Sequence, residues 1–213
     1  RIEQLERVAD DVMILRFKLP ANERLQYRAG QYIEFLLKDG KRRSFSMANA
    51  PHDDALIELH IRHLPGGLFT DRVFGVSVPA LKVRDILRFE GAHGSFYLRD
   101  DSDKPIILLA SGTGFAPIKA IVEHMIHTGN VRPVVLYWGG RRPKDIYMMD
   151  LCRQWQAEHA NFSFVPVISQ PEAADVRRTG ASLGGLHGGS ADVAVDSRVN
   201  GRAEPALKPP RRG

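Results

Sequence analysis

Pro105-Ile106-Ile107-Leu108-Leu109-Ala110-Ser111-Gly112-Thr113-Gly114-Phe115-Ala116-Pro117 opens with a long apolar run and passes through a glycine turn. Pro105 to Ala110 falls well below the roughly 18 residues of a membrane-spanning helix and reads as a buried strand. Pro117 sits where proline opens a helix, because a first-turn residue needs no amide hydrogen. Ile118, Ile121, Val122, Met125 and Ile126 follow at helical spacing, and Gly129 supplies the stop. Further on, Val131 to Trp138 reads as a strand, Asp145 to His159 as a helix and Phe162 to Ser169 as a third strand. Strand–helix–strand–helix–strand predicts a parallel sheet with right-handed crossovers.

The residues before this unit have a different rhythm. Val12 to Leu19, Tyr32 to Leu37, Arg43 to Met47, Leu56 to His63 and Asp85 to Phe89 are short β-prone runs. Turn signals such as Pro20-Ala21-Asn22, Asp39-Gly40 and Pro51-His52-Asp53 separate them. One short helix is expected at Phe69 to Phe74. The fold class expected is therefore an antiparallel β-barrel over 1–102, followed over 103–174 by a truncated α/β parallel-sheet domain.

Residues 175–213 fit neither unit. All seventeen aromatic residues lie at or before Phe164, and glycine, arginine, alanine and proline dominate the end. Such a composition buries too little apolar surface to offset the entropy of ordering, so a disordered tail is expected. Seven basic and four acidic residues fall in that tail, so most of the net charge of +5 belongs to it. The nearly balanced body argues against a nucleic-acid partner, and no apolar run argues for a membrane. A single cysteine, Cys152, excludes an internal disulfide and a cysteine-ligated metal centre within these residues. His60 with His63, and His124 with His127, lack a completing carboxylate or cysteine, so no metal is expected. A chain that opens on Arg1 without a signal pattern is expected to be cytoplasmic and cut from something longer.

Four segments carry candidate chemistry. Arg43-Ser44-Phe45-Ser46 places a guanidinium and a ring on one face of a strand, with a hydroxyl beside them. The first suits a phosphate, the second a planar heterocycle and the third a heterocycle's edge. Gly66-Gly67-Leu68-Phe69-Thr70 lets backbone approach an anion just before a helix. Gly112-Thr113-Gly114-Phe115-Ala116-Pro117 lies between a buried strand and a helix, the setting of a diphosphate-binding turn. Tyr137-Trp138-Gly139-Gly140-Arg141-Arg142 ends the next strand, and its arginines suit a ribose or phosphate. Each segment alone also has an ordinary structural reading.

In this order and spacing the four resemble the ferredoxin–NADP reductase family of flavoproteins, over roughly residues 1 to 172. The family's Arg-x-Tyr-Ser/Thr is matched by Arg43, Phe45 and Ser46, and its Gly-Thr-Gly-x-x-Pro by Gly112 to Pro117. Within the family, Tyr32 to Phe35, Arg43 to Pro51 and Tyr137 to Tyr147 look most like CDP-6-deoxy-glucoseen reductases. The reductase components of aromatic-ring oxygenases are also similar. The resemblance implies an electron-transferring oxidoreductase with FAD and NAD(P)H, partnered by a [2Fe–2S] domain or protein. It implies that Arg43 holds the FAD pyrophosphate, Phe45 packs on the flavin and Ser46, the catalytic candidate, bonds near its N5. Ile61 and Arg62 would line the flavin, Gly66, Gly67 and Thr70 would serve the pyrophosphate, and Thr70 would cap a helix there. Gly112, Thr113, Gly114, Pro117 and Arg141 would shape the pyridine-nucleotide site.

The chain departs from the family in three places. Phe45 replaces tyrosine, Glu90-Gly91-Ala92-His93-Gly94 stands where Gly-Pro-x-Gly is common, and no Cys-Gly-x-Pro follows residue 170. The last departure supports a second expectation, a non-catalytic FAD-binding remnant with impaired NAD(P)H oxidation.

Overall fold

The computed structural model describes residues 1–170 and the backbone of one further strand at 192–195. Six antiparallel strands build the first unit: β1 (Ile2–Ala9), β2 (Val12–Phe17), β3 (Tyr32–Leu36), β4 (Arg42–Ser46), β5 (Ile57–Arg62) and β6 (Phe89–His93). They pair as β1-β2-β5 and β4-β3-β6. An antiparallel bridge from Met47 to Leu59 joins the two sheets on one side. On the other, Ile2 N donates to Asp85 O at 2.9 Å and Arg84 N to Ile2 O at 2.8 Å. A ring closed at both seams leaves few open edges, which is what a barrel achieves. Its interior is filled from alternate positions, with Leu15, Phe17, Ile33, Phe35, Ile57, Leu59 and Ile61 among the buried residues. Helix α1 (Thr70–Val73) lies between β5 and β6.

The second unit is a parallel sheet in the order β10-β7-β8-β9, with β7 (Ile106–Ser111), β8 (Val134–Gly140), β9 (Phe162–Ile168) and β10 (Asp192–Val195). Helix α2 (Phe115–His127) joins β7 to β8, and α3 (Met149–Glu158) joins β8 to β9. The strand order runs outward from β7 to β9 and then returns to the far side of β7, which makes β7 the switch point of the sheet. Cys152 is fully buried on α3, and burial pushes its thiol up to about 12, in keeping with an inert packing residue.

The expected elements are present, with four differences. Strand β1 is an addition to the expected set, because charged and polar residues fill half of Ile2–Ala9 and only Ile2 is buried. Strand β6 lies at Phe89–His93, where Asp85 to Phe89 was expected. The second helix is shorter than Asp145 to His159, because a 3₁₀ turn over Pro143–Asp145 precedes it and α3 starts only at Met149. Strand β10 arises inside the segment expected to be disordered and pairs Asp192–Val195 in parallel with Ile106–Leu109. The remainder of 175–213 lies outside the described residues. Among the described residues no helix is long and apolar enough to cross a membrane.

The two units share a packed boundary. Ala29, Phe96 and Leu98, all from the first hundred residues, belong to the core formed by β7–β9, α2 and α3. The outer face of β5 is covered as well, because Glu58 and His60 are buried although they alternate with the inward Ile57, Leu59 and Ile61.

Candidate functional site

The flavin-type motif occupies β4, and its neighbouring arginines differ. Arg42 is neutralised by Glu34 at 3.2 Å and by Glu90. Arg43, one residue on, donates only to the carbonyl of Arg42 at 2.7 Å and forms no ion pair among the described residues. A half-buried guanidinium without a carboxylate suits a phosphate. Phe45 lies on the same face as Arg43, with its ring 5.9 Å from Phe35 and 5.4 Å from Phe69. Phe69 belongs to the second segment, so Gly66 to Thr70 is in contact with β4 through these rings. Ser46, 7% exposed, sits on the opposite face of the strand from Phe45.

Two anticipated roles take a different form. Thr70 is the first residue of α1 and makes no cap to it. Its hydroxyl instead donates to Leu64 O at 2.9 Å and accepts from Leu64 N at 3.2 Å, which closes the turn carrying Gly66 and Gly67. Ile61 is fully buried in the barrel core, so its side chain faces the interior.

The nucleotide-type turn lies where the sequence placed it, at the carboxyl end of β7. Gly112 adopts φ +52°, and Gly112–Gly114 form a 3₁₀ turn leading directly into α2. No side chain caps α2, so its first-turn amides keep the positive end of the helix for an anion. Pro117 is buried in that first turn. Trp138 Nε1 donates to Gly112 O at 3.1 Å, and its ring stacks on Phe115 at 3.9 Å. The turn faces a cleft of about 520 Å³ whose walls include Asp11, Arg62, Ser111, Gly112, Gly139 and Arg141. Arg62 reaches into it from β5, where Asp11 holds it at 2.7 Å, and a Cβ on Gly112 would lie 3.0 Å from its guanidinium. Arg141 is exposed, and its nearest carboxylate, Asp145, is 3.9 Å away. The structure thus brings Arg62, Gly112 and Arg141 to one cleft, with the Arg43–Phe45–Phe69 group on the barrel. Asp11 and Ser111 carried no signal in the sequence beyond their neighbours.

A third group, whose members the sequence does not connect, lies at the boundary between the two units. Glu58 Oε2 accepts from Arg16 Nε at 2.7 Å, and Oε1 accepts from His60 Nε2 at 3.0 Å and forms an ion pair with Lys119 Nζ at 3.2 Å. His60 Nδ1 meets the Tyr147 hydroxyl at 2.8 Å. Burial alone would raise the Glu58 carboxyl, but the His60 hydrogen bond and the charges of Lys119 and Arg16 hold it well below the usual carboxylate range. Burial depresses His60 and raises Tyr147. A protonated Tyr147 therefore donates to a neutral His60, which donates in turn to Glu58.

Both shifts favour the folded state at neutral pH. Between their unfolded and folded values, His60 and Glu58 bind protons in the unfolded chain and not in the folded one. Stability is accordingly expected to fall from roughly pH 6.5 downward through His60, and again from roughly pH 4.3 downward through Glu58, by up to about 1.4 kcal/mol per pH unit and group. Glu123, raised by burial, acts with the opposite sign and loses its contribution as pH rises through its folded value. Melting temperatures across pH 4 to 8 test this; His60→Gln should flatten the upper slope, and an unchanged slope would contradict the assignment.

Comparison with known proteins agrees with the two-unit fold. Residues 1–97 match the oxidoreductase FAD-binding domain family, and residues 108–182 the oxidoreductase NAD-binding domain family. The chain belongs to the ferredoxin reductase-like oxidoreductases, with an FAD-binding and an NAD-binding domain in that order. Among its relatives, the CDP-6-deoxy-L-threo-D-glycero-4-hexulose-3-dehydrase reductase of Yersinia pseudotuberculosis is 39% identical over 84% of this chain and 53% of its own length. Reductase component 1 of the terephthalate 1,2-dioxygenase of Comamonas sp. is 39% identical over 76% of this chain and 46% of its own length. The crystal structure of the Amycolatopsis cytochrome P450 reductase GcoB superposes with a TM-score of 0.72 at 32% identity, covering 81% of this chain and 52% of that one. The chain thus spans about half the length of the curated relatives it matches.

Proposed function

We propose that these residues form the flavin- and nicotinamide-handling part of an NAD(P)H-dependent reductase that delivers electrons to an iron–sulfur centre serving an oxygenase or dehydrase. The observation that carries this reading is the single cleft shared by the Gly112–Gly114 turn and Arg62 of the barrel. It is supported by the names of the relatives, which are reductase components of dehydrase and dioxygenase systems. A bound flavin would supply the chemistry, accepting two electrons together and releasing them singly. The protein's part is binding and orientation. Arg43 neutralises phosphate, the Gly66–Thr70 turn offers backbone, and Ser46 holds a hydrogen bond at the heterocycle edge. Arg62 approaches from β5, while Ile61 packs inside the barrel behind it. Gly112, Thr113, Gly114 and the start of α2 receive the nucleotide diphosphate, with Arg141 toward its ribose end. The free, buried Cys152 suits the reducing cytoplasm.

The purified protein is expected to be yellow or to take up FAD on reconstitution. Arg43→Ala should weaken FAD binding by about tenfold to a hundredfold, the loss of one charge-assisted contact of roughly 1.5–3 kcal/mol. Quenching of FAD fluorescence measures it. Protein that binds no FAD would overturn the reading. Uptake of FAD without bleaching by NADH under anaerobic conditions would favour the non-catalytic module instead.

A further inference from the structure

We propose that Glu58 is a positioning residue that sets the nucleotide-binding turn at a fixed approach to the flavin motif; this rests on the functional reading above.

Glu58 is tied to both sites at once. Its backbone accepts from Ala48 N at 2.8 Å, and its amide donates to Asn49 Oδ1 at 2.9 Å. Ala48 and Asn49 lie immediately beyond β4, two and three residues after Ser46. The Glu58 side chain crosses to the other unit and forms an ion pair with Lys119 on α2 at 3.2 Å. Lys119 lies within the first two turns of α2, five residues after Gly114, so the helix that starts at the glycine turn is anchored near its own beginning. Lys119 Nζ also donates to Ala48 O at 3.3 Å and pairs with Glu123 at 2.7 Å. A second crossing runs from Glu58 through His60 to Tyr147, between β8 and α3.

Glu58, His60, Lys119 and Asn49 are buried, and each charged end among them has a partner. Ion pairs buried this way contribute little net stability compared with apolar packing of equal volume, while they permit only one relative arrangement of the groups they join. Apolar contacts would hold the two units together but tolerate sliding. The hydrogen bonds from Ala48 N to Glu58 O and from Lys119 Nζ to Ala48 O, closed by the Glu58–Lys119 ion pair, remove that freedom between Ser46 and Gly112. Misplacement of reacting groups by about 1 Å can cost a hundredfold in rate, so fixing this path has a direct consequence for the reaction.

The chain supplies a reporter that does not depend on turnover. Both of its tryptophans, Trp138 and Trp155, lie in the nucleotide-binding unit, whereas the flavin motif lies in the barrel. Energy transfer from tryptophan to bound FAD therefore reads the relation between the units. In the FAD-loaded full chain, Glu58→Gln, Lys119→Met and Tyr147→Phe are compared with the parent at matched FAD occupancy. The expected result is FAD affinity within about twofold of the parent, lower transfer efficiency with a broader spread of tryptophan lifetimes, and flavin bleaching by NADH slowed about tenfold or more at saturation. The long-wavelength charge-transfer band between nicotinamide and flavin should weaken with it. Unchanged transfer and lifetimes in soluble, FAD-loaded variants would overturn the proposal, even if their melting temperatures fell. Should Glu58→Gln not fold, Lys119→Met and Tyr147→Phe decide the same question from the other side of the boundary. A parent that takes up no FAD would instead sink the functional reading itself.

Discussion

Trp138→Ala is expected to lose about 3–5 kcal/mol of folding stability and to weaken nucleotide binding at the same time. The indole is fully buried, stacked on Phe115 at 3.9 Å and met edge-on by Tyr147 at 5.1 Å. Its removal leaves a cavity in the centre of the second core, which the surrounding strands cannot close. The functional loss has a separate origin. The indole N–H is the donor that holds the Gly112 carbonyl, and Gly112 carries the left-handed φ that starts the turn. Trp138→Phe separates the two effects, since it keeps most of the packing and gives up the hydrogen bond, worth about 0.5–1.5 kcal/mol. Urea unfolding should therefore rank Ala far below Phe, while titration with NADH should show both weakened. A phenylalanine variant with parental NADH affinity would show that the hydrogen bond does not shape the turn.

The parts of this fold legible in the sequence are those whose patterns are local. β7, the glycine turn and α2 were readable because a fully apolar strand, two glycines and a helical stripe follow one another without interruption. β1 was not readable, since a strand on the barrel's outer side with Glu3, Glu6 and Arg7 carries almost no apolar alternation. β6 is displaced from Asp85 to Phe89 because the chain passes through Gly91 and continues pairing with β3. In β10, Asp192–Val195, the short Val-Ala-Val signal was outweighed by the glycine- and arginine-rich residues around it.

The same logic explains what was missed at the site. Ile57-Glu58-Leu59-His60-Ile61-Arg62 alternates like a strand with one wet face, and from the sequence Glu58 and His60 belong to that face. Both are buried because a second unit covers it, and their partners Lys119 and Tyr147 lie 61 and 87 residues away along the chain. No local pattern carries that information. Phe45 illustrates the converse: its spacing from Arg43 was legible, but its packing on Phe35 and Phe69 depends on the closure of the barrel.

Gly30→Ala should be among the most damaging single-methyl additions in this protein, costing on the order of 3 kcal/mol. Gly30 is buried at the entry to β3, where the barrel meets the second unit, and adopts φ +106°. An added Cβ would stand 2.5 Å from the Phe96 carbonyl oxygen and 3.1 Å from Ile121 Cδ1 on α2. The first of these is backbone and cannot rotate away, so either the Phe96 segment or β3 has to move. Gly40 provides the control, because it has φ +76° but no atom within 4 Å of the position a Cβ would take. Gly40→Ala meets the conformational penalty alone, about 1–2 kcal/mol. The excess loss in Gly30→Ala over Gly40→Ala therefore measures how tightly Gly30 is packed against the Phe96 backbone and, behind it, Ile121 of α2. Urea unfolding followed by tryptophan fluorescence gives both values. Equal losses in the two variants would mean that the boundary yields to a methyl group, and that the close approach of Gly30 to Phe96 holds nothing in place.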